Sequence, residues 1–398
     1  MKRRISKALN LICFFAYNRI AAVFLKLKDK KVLFLSESHQ SLDGNLKAVW
    51  DDLDDSYEKI ARITPDRRQE IGLLDKLRLW KDLTDARYII LDDFYSLTSS
   101  MKLRKGQELV QLWHGSGAFK KFGFSRRQTG DNIQNVNSGY RKYTKVSVTS
   151  DQVRPCFAEA FDIPAERIKA MGSPRTDMFF NEEKIKAARK RVYEALPQIQ
   201  GKKVVLIAPT YRGRKVEDAC YDFEKLDLSG LCRRLGSGYH IITKWHPALY
   251  NNIKRGIAEN PFGKKWELGQ ANELSDSEDC AGITDASGYG DINDLLTAAD
   301  VLVTDYSSVI FDWSLLDKPI VYFVYDIDQY QDSRGLYFDF EDYVYGTCVR
   351  DGSLLAQAIE EGGMQLEKRD AFNQKFMSSC DGHSTERVIN WVFRGDDK

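Results

Sequence analysis

The sequence predicts an α/β protein built from two Rossmann-like domains of similar size. Short apolar segments, such as KVLFLSE at 31–37 and KVVLIAP at 203–209, have the length and composition of buried strands. Stretches of helical character separate such segments, and this alternation is typical of parallel sheets that are covered on both faces. A charged helix is predicted at 182–196, and the following Pro197 and Gly201 indicate a domain boundary.

Further strands are predicted in both halves of the chain. They cover 87–92, 108–113, 145–150 and 167–172 in the first half, and 239–244, 300–305 and 318–323 in the second. We therefore predict an N-terminal domain over 30–198 and a C-terminal domain over 199–398, facing each other across a cleft. Ligands of open α/β sheets bind beyond the carboxyl ends of the strands, so polar residues at those ends are candidate site residues.

The composition excludes several other classes of protein. The net charge of the 398 residues is +1, which argues against a nucleic-acid partner because such proteins usually carry a large basic excess. The seven cysteines are scattered and form no CxxC pair, so neither a disulfide framework nor a zinc site is expected. The sequence also contains no phosphate-binding GxxxxGK[ST] loop, no HExxH and no GxSxG.

The N-terminal segment 1–29 combines basic and apolar residues. Its apolar run is interrupted by Asn10, Asn18 and Arg19, so a membrane-spanning helix of about 20 apolar residues is not expected. The pattern favours an amphipathic helix that lies on an anionic membrane surface. The alternative is a helix that packs on the body of the protein.

One candidate catalytic residue is His114, within WHGSG at 113–117, directly after a predicted strand. Gly115 allows backbone N–H groups to approach phosphate oxygens, and Lys120 supplies positive charge. This arrangement can hold a base next to an anion. A tight turn with a packed histidine explains the same residues.

The second candidate is His246, within WHP at 245–247. The proline after it restricts the histidine to an extended backbone. A fixed histidine at a strand end can stabilise charge that develops on a phosphate. A buried, hydrogen-bonded histidine is the alternative.

The segment TDYSS at 304–308 follows an apolar strand and precedes a helix. Thr304, Ser307 and Ser308 are small hydroxyl residues near a helix N-terminus, where free N–H groups bind anions. Asp305 is expected to orient this loop rather than to face a phosphate. A simple helix cap fits equally well.

Other polar residues also follow predicted strands or lie in loops. They are Arg175 in GSPRTD, Thr210 and Arg212 in APTYR, Arg334 in the loop 326–339, and Arg387 in DGHSTER. Arginine can bind a phosphate through two parallel hydrogen bonds. Helix caps, polar loops and surface ion pairs are the corresponding structural alternatives.

Taken together and in order, these segments resemble the CDP-glycerol glycerophosphotransferase family, the teichoic acid primases and polymerases. The resemblance rests on WHG, GSPRTD, APTYR, WHP, DINDLL, TDYSSVIFD, SRGLYFD and DGHSTERV, from about Leu112 to Val388. It implies a GT-B fold, in which the C-terminal domain binds the donor and the acceptor approaches from the N-terminal domain.

The resemblance also implies an activity, namely the transfer of glycerol phosphate from CDP-glycerol to an acceptor hydroxyl with release of CMP. His114 is then the general base, and His246 stabilises the pyrophosphate or protonates the leaving CMP. Asp291, within DINDLL, becomes a donor-site residue. Thr304, Ser307 and Ser308 correspond to the donor-phosphate loop, and Arg334 and Arg387 to phosphate-binding arginines.

Several alternatives remain open at this point. The donor could be CDP-ribitol, and the acceptor a lipid-linked glycan, a teichoic acid chain or a capsule chain. A GT-B glycosyltransferase or epimerase that uses a nucleotide sugar, or an inactive binding module, would share the fold. About 110 residues precede WHG, a size that resembles a primase or a compact polymerase. No cofactor is expected beyond Mg²⁺ accompanying the diphosphate, and the expected location is the cytoplasmic face of the cell membrane, as a peripheral protein.

Overall fold

The computed structural model describes residues 2–37, 41–64, 72–129, 138–213, 216–262, 281–363 and 365–395. The chain forms two compact units. The first comprises Met1–Asp177 and Phe376–Lys398, and the second comprises Met178–Lys375. This division differs from the predicted domains 30–198 and 199–398, since the first unit ends earlier and the C-terminal segment returns to it.

Within its described residues, the first unit contains six strands. In chain order its elements are α1 (Lys2–Phe24), β1 (Lys28–Ser36), α2 (Gly44–Asp52), β2 (Glu58–Ile63), α3 (Leu73–Asp85), β3 (Ala86–Leu91), β4 (Glu108–Gln111), β5 (Lys145–Ser147), α4 (Arg154–Phe161) and β6 (Ile168–Lys169). All pairs are parallel, in the order β2-β1-β3-β4-β5-β6. The apolar run Val32–Leu35 in β1 is fully buried, as expected of a strand that is covered on both faces.

In the part of the second unit that the structure describes there are six further strands. Its elements are α5 (Glu182–Ala195), β7 (Lys203–Ile207), α6 (Phe223–Leu226), α7 (Leu228–Leu235), β8 (Tyr239–Thr243), α8 (Pro247–Lys254), β9 (Gly282–Asp285), α9 (Ile292–Ala298), β10 (Val301–Thr304), α10 (Val309–Trp313), β11 (Ile320–Phe323), α11 (Ile327–Arg334), β12 (Thr347–Val349), α12 (Leu355–Glu361) and α13 (Leu366–Phe376). The sheet is again parallel, in the order β12-β11-β10-β7-β8-β9. The predicted α/β fold class with two parallel sheets is thus confirmed.

The strand order of the second sheet fixes where its ligand crevice lies. From β7 the chain proceeds to β8 and β9 on one side, and then crosses to β10 on the other side. The sheet therefore has a topological switch point between β7 and β10. Ligands of doubly wound sheets bind at this point, outside the carboxyl ends of the strands. The loops that follow β7 and β10 carry the predicted segments APTYR and TDYSS.

The helix predicted at 182–196 belongs to the second unit rather than to the end of the first. Arg191 on α5 forms two hydrogen bonds to the Asp294 carboxylate on α9, at 2.9 and 2.7 Å. Arg189 Nε also donates to the Thr297 carbonyl at 2.8 Å. These contacts attach α5 to the second sheet, so the boundary falls before the helix.

The C-terminal segment joins the first unit because it completes that unit's core. After helix α14 (Ser384–Ile389), the side chains of Trp391 and Val392 pack with Val388 and Met171 beside the first sheet. The Asp177 carboxylate accepts the backbone N–H groups of Ser384 and Thr385 at 3.0 and 2.7 Å, which caps α14. The segments GSPRTD and DGHSTERV therefore lock together within one unit.

Helix α1 packs against α3 through one face. Phe14 and Asn18 are fully buried, and the Phe14 and Tyr17 rings lie 5.9 and 5.5 Å from the Trp80 ring. Asn18 donates to the Thr84 hydroxyl at 3.2 Å. Among the described residues, no helix is both long and apolar enough to cross a membrane.

Candidate active site

His114 lies immediately beyond β4, and its ring is half exposed. Its Nδ1 lies 3.3 Å from the Asp92 carbonyl oxygen and 3.8 Å from Asp93 Oδ1. A carbonyl oxygen only accepts hydrogen bonds, so Nδ1 carries the proton in the neutral ring. Nε2 then holds a lone pair and can accept a proton. The Asp93 carboxylate lies where it stabilises the imidazolium that results.

His246 has the opposite arrangement. It precedes α8, and its Nδ1 accepts the backbone N–H of Ala248 at 3.1 Å. A backbone N–H only donates, so Nδ1 is unprotonated and Nε2 carries the proton. The exposed His246 ring lies 4.8 Å from the Tyr211 ring. The two predicted catalytic histidines thus differ, because one presents a proton acceptor at Nε2 and the other a hydrogen-bond donor.

A third histidine shows the structural alternative. His240 is buried in β8, and its Nε2 lies 2.8 Å from the Thr284 hydroxyl. Burial lowers the pKa of His240 to about 4. This side chain therefore stays neutral near pH 7 and belongs to the core.

The switch point of the second sheet brings the predicted residues Thr210, Thr304 and Asp305 together. Asp305 is fully buried, and its Oδ1 accepts the Thr210 backbone N–H at 2.7 Å. The Thr304 hydroxyl donates to the Ala208 carbonyl at 2.7 Å. Asp305 was expected to orient its own loop, but this bond orients the loop after β7 instead, and the Thr304 hydroxyl is used within the protein.

Arg212 occupies the centre of this cluster. Its Nη1 donates to Asp305 Oδ2 at 2.8 Å, and its Nε and Nη2 donate to the Asp326 carboxylate at 2.5 and 2.8 Å. Four tyrosine rings surround the guanidinium at 5.1–5.3 Å, those of Tyr221, Tyr306, Tyr325 and Tyr330. Burial alone would lower the pKa of Arg212, but Asp305 and Asp326 raise it above its ordinary value.

The sequence prediction that Arg212 contacts a donor phosphate does not match this geometry. The guanidinium is committed to two carboxylates that follow β10 and β11, and to the Thr210 carbonyl at 2.9 Å. Arg212 therefore ties together the carboxyl ends of three neighbouring strands. Asp326 was missed as a partner, although it follows a predicted strand as the other candidates do.

Ser307 and Ser308 lie at the start of α10. Val309 N–H donates weakly to the Ser307 hydroxyl at 3.4 Å, and Ser308 is the N-cap residue with an exposed side chain that makes no capping hydrogen bond. The helix has only five residues. Its dipole is correspondingly small, so hydroxyl groups and N–H groups rather than the helix as a whole would contact an anion here.

Asp291 and the WHP segment share a neighbourhood at the ends of β8 and β9. Asp291 caps α9 by accepting the Asn293 N–H at 2.9 Å. Lys244 Nζ donates to the carbonyls of Ser287 and Tyr289 at 3.1 and 2.5 Å. Burial lowers the pKa of Lys244 to about 8, and the carboxylates of Asp285 and Asp291 oppose this effect.

Asp285 positions the backbone that carries His246. Its Oδ1 accepts the hydroxyl and the N–H of Ser287 at 2.5 and 3.0 Å, and the Ser287 hydroxyl in turn accepts the Trp245 N–H at 2.8 Å. Thr243 also donates to Oδ1, at 3.2 Å. Asp285 is buried, and burial raises its pKa to about 6 despite these hydrogen bonds.

The raised pKa of Asp285 predicts a dependence of stability on pH. A carboxyl whose pKa rises on folding stabilises the folded state while protonated, and this contribution disappears as the pH rises from about 4 through about 6. Between pH 4 and pH 7 the wild type should therefore lose on the order of 1–3 kcal/mol more unfolding free energy than Asp285→Asn. Urea unfolding at several pH values measures this, and an unchanged slope in the variant would contradict it.

The remaining predicted residues are spread over both units. Gly115 and Lys120 follow His114 in the first unit, and both are partly buried. Arg175 lies in a short helical turn, where its N–H donates to Asn45 Oδ1 at 2.9 Å. Arg334 was expected in a loop but is the last residue of α11, and its side chain lies outside the described residues.

Arg387 was expected in the C-terminal, donor-binding domain but belongs to the first unit. Its guanidinium donates to both Asp381 oxygens at 3.0 and 2.8 Å, to the Met171 carbonyl at 3.2 Å, and to the Ser379 carbonyl. These bonds attach α14 to the first sheet. They give Arg387 a structural role that its position in the sequence did not indicate.

No group of three or more His, Cys, Asp or Glu side chains could hold a metal ion within the ranges that the structure describes.

The partners of His114 that the sequence analysis missed are Asp92 and Asp93. Both lie at the carboxyl end of β3, next to β4 in the sheet. The rule that located His114 would also have found them.

The two units, each built on a six-stranded parallel sheet, place the chain in the class of GT-B-like α/β proteins. Its fold is similar to that of the wall teichoic acid polymerase TagF, with a TM-score of 0.74 at 21% identity over 99% of this chain and 98% of that one. A sequence profile for CDP-Glycerol:Poly(glycerophosphate) glycerophosphotransferase matches residues 16–394. The chain therefore belongs to this family, and the resemblance drawn from its motifs is confirmed.

Two curated relatives carry different alditols in their names. The chain is 34% identical to a teichoic acid poly(ribitol-phosphate) polymerase of Bacillus spizizenii, over 98% of this chain and 60% of that protein. It is 30% identical to a teichoic acid glycerol-phosphate primase of Bacillus subtilis, over 77% of this chain and 74% of the primase. The chain thus spans about 60% of the length of the polymerase.

Proposed function

We propose that this protein transfers glycerol phosphate from CDP-glycerol to a hydroxyl of a lipid-linked glycan or of a teichoic acid or capsule chain. The acceptor oxygen forms a bond to the phosphorus that carries glycerol, and the bond from that phosphorus to the CMP oxygen breaks. CMP leaves, and the hydroxyl proton passes to a base. The observation that carries the proposal is the pair of histidines with opposite Nε2 roles, at strand ends of a family member.

His114 is the base in this proposal. Its Nδ1–H is directed to the Asp92 carbonyl, which leaves the Nε2 lone pair for the acceptor proton. Asp93 offsets the positive charge that the ring then gains. General base catalysis of this kind contributes about 10²–10⁴-fold to a rate.

His246 is the donor of a hydrogen bond to the pyrophosphate. Because its Nδ1 accepts the Ala248 N–H, the ring is held in the neutral form with its proton on Nε2. A neutral imidazole is a weak proton source but a good hydrogen-bond donor. This favours stabilisation of developing charge on phosphate oxygens over protonation of the leaving CMP.

The loops at the switch point of the second sheet are proposed to bind the donor. Thr210, Ser307 and Ser308 line the ends of β7 and β10, where a doubly wound sheet binds ligands. Asp291 and Arg334 are further candidates in the same unit. Arg212 and Asp305 would support donor binding indirectly, by holding these loops in place. Any Mg²⁺ would accompany the diphosphate of the donor.

CDP-ribitol is the second candidate donor. It is favoured by the 34% identity to a protein named as a poly(ribitol-phosphate) polymerase. Thermal shift and calorimetric titrations with CDP-glycerol, CDP-ribitol and a UDP-sugar would separate the candidates. Preferential binding of CDP-glycerol supports the proposal, preferential binding of CDP-ribitol favours the second candidate, and preferential binding of the UDP-sugar contradicts both.

We further propose that α1 rests on an anionic membrane surface at the cytoplasmic face of the cell membrane. The face of α1 opposite Phe14 and Asn18 exposes five large apolar side chains, namely Leu9, Ile12, Ile20, Val23 and Phe24. Four of the first seven residues of the chain are Lys or Arg. Apolar side chains that enter the headgroup region, together with basic residues, are typical of helices on anionic bilayers.

The membrane proposal predicts the effect of changing this face. Replacing Ile12, Ile20 and Val23 with serine should lower the partition onto vesicles rich in anionic lipid by at least about 10-fold, since each loses favourable burial. Co-sedimentation measures this. The same change at three exposed apolar residues of the second unit, Ile257, Leu354 and Leu366, is the matched control. Equal losses in both variants, or no loss in the first, would contradict the proposal.

A further inference from the structure

The residue directly before His114 has an unfavourable backbone conformation. Trp113 has φ of +57°, one of three non-glycine residues with positive φ in the described part of the chain. For a residue other than Gly, Asn or Asp this region costs about 1–3 kcal/mol. Such a conformation persists only where the surroundings enforce it. Any relaxation of Trp113 would rotate the peptide that leads to His114.

Two buried side-chain amides hold the Trp113 backbone from both sides. Gln111 is fully buried, and its Oε1 accepts the Trp113 N–H at 2.8 Å. Asn45 is 3% exposed, and its Nδ2 donates to the Trp113 carbonyl at 2.7 Å. Both backbone polar groups of the strained residue are therefore satisfied by side chains. We call Asn45 and Gln111 the amide clamp.

The orientation of Asn45 within the clamp is fixed by its other contacts. Its Oδ1 accepts the Arg175 N–H at 2.9 Å and the Ser173 hydroxyl at 3.0 Å. Since a backbone N–H only donates, the oxygen must face Arg175 and the NH₂ group must face Trp113. Asn45 itself is in the first turn of α2. It thus links α2, the segment GSPRTD and the loop of His114.

Gln111 connects the clamp to the partners of His114. Its Nε2 donates to the Asp93 carbonyl at 3.1 Å, and the carboxylate of the same Asp93 lies 3.8 Å from His114 Nδ1. The neighbouring Asp92 carbonyl lies 3.3 Å from that nitrogen. The clamp therefore holds both the backbone before the histidine and the segment that selects its tautomer.

We infer that Asn45 is a positioning residue that fixes the orientation and the tautomer of His114 by holding Trp113 in its strained conformation. The inference rests on the proposed function for its kinetic consequence only. Asn45 does not reach the reacting atoms in this arrangement. It acts through the Trp113 carbonyl, and its loss is expected to change the position and the protonation of Nε2 of His114.

Asn45→Asp is the sharpest test, because it preserves the shape and the Oδ1 acceptor. It replaces the NH₂ donor by an oxygen that faces the Trp113 carbonyl without a hydrogen bond. A displacement of about 1 Å at a catalytic group can cost about 10²-fold in rate, so kcat should fall by about that factor. The KM for the CDP-alditol should stay within about threefold of its wild-type value, because donor-binding residues are proposed in the other unit.

A second readout needs no substrate. Long-range ¹H–¹⁵N spectra of the histidine rings distinguish the Nδ1–H from the Nε2–H tautomer, and a His114→Gln spectrum assigns the relevant signals. Wild-type His114 should show the Nδ1–H form. In Asn45→Asp this form should give way to a mixture of tautomers.

Gln107→Glu is the matched control. Gln107 is a buried amide before the opposite end of β4, and its Nε2 donates to the carbonyls of Leu83 and Ala86 at 2.9 and 2.7 Å. The change again turns a buried amide donor into a carboxylate in the same unit. It should lower stability by a similar amount, yet leave the kcat and the His114 tautomer unchanged after correction for the folded fraction.

The outcomes separate the two proposals. Loss of the Nδ1–H tautomer in Asn45→Asp, with the control unaffected, supports the inference even if the wild type transfers neither alditol, a result that would overturn the proposed function alone. Unchanged kcat and tautomer in folded Asn45→Asp overturn the inference. Equal losses in Gln107→Glu also overturn it, because they indicate general destabilisation.

Discussion

His114→Gln is expected to lower kcat by about 10²–10⁴-fold, the range that a general base contributes. Glutamine can replace the hydrogen bond from Nδ1 to the Asp92 carbonyl, but it cannot take up a proton. The KM for the CDP-alditol should change little, because the substitution removes a group that acts in the transition state. Initial rates of CMP release at saturating donor measure the effect.

His383→Gln provides the control for this substitution. His383 is in the same unit, its side chain is 68% exposed, and its Nδ1 lies 3.6 Å from a Glu386 carboxylate oxygen. This exposed pair should contribute little to stability. The kcat of His383→Gln should therefore stay within about twofold of the wild-type value. Full activity in His114→Gln would exclude the histidine as the base.

Arg212→Met is expected to lower the free energy of unfolding by about 3–5 kcal/mol, the cost of removing one partner from a buried ion cluster. Asp305 is fully buried and would lose its counter-charge, and Asp326 would lose two hydrogen bonds. The loops after β7, β10 and β11 would separate, so CDP-alditol affinity should fall as well. Urea unfolding and calorimetric titration measure the two effects.

Two further variants test the electrostatic cause of that loss. Adding Asp305→Asn to Arg212→Met removes the uncompensated charge, keeps an acceptor for the Thr210 N–H, and should recover part of the stability. Arg350→Met removes an exposed pair with Asp328, at 66% and 85% exposure, and should cost less than about 1 kcal/mol. Equal losses of unfolding free energy in Arg212→Met and Arg350→Met would show that the buried cluster stabilises the fold no more than an exposed ion pair does.

Most of the fold could be predicted because buried parallel strands are continuous apolar runs. The segments around Val32 and Val205 are such runs, and both were predicted as strands. The edge strands β2, β9 and β12 were missed because their sequences, EKIARI, GITD and TCV, are not continuous apolar runs. The return of the C-terminal segment to the first unit depends on tertiary contacts such as those of Trp391, which no local pattern encodes.

Some residues of the candidate site could likewise be predicted from the sequence, and others could not. His114 and His246 follow strands, so the carboxyl-end rule locates them. The roles of Arg212 and Arg387 could not be predicted, because an arginine in a loop or a short helix has the same sequence signature whether it meets a ligand or an internal carboxylate. In the structure Arg212 pairs with Asp326 and Arg387 pairs with Asp381. Both ion pairs depend on how the loops are arranged in the folded chain.

The most direct test of the proposed transfer is CMP release by the purified protein with CDP-glycerol or CDP-ribitol and a synthetic lipid-linked acceptor. We expect release that depends on the acceptor and on one of the two donors, with a product heavier by one or more alditol phosphate units. Absence of both release and binding with either CDP-alditol, in folded protein with acceptor present, would contradict the proposed activity.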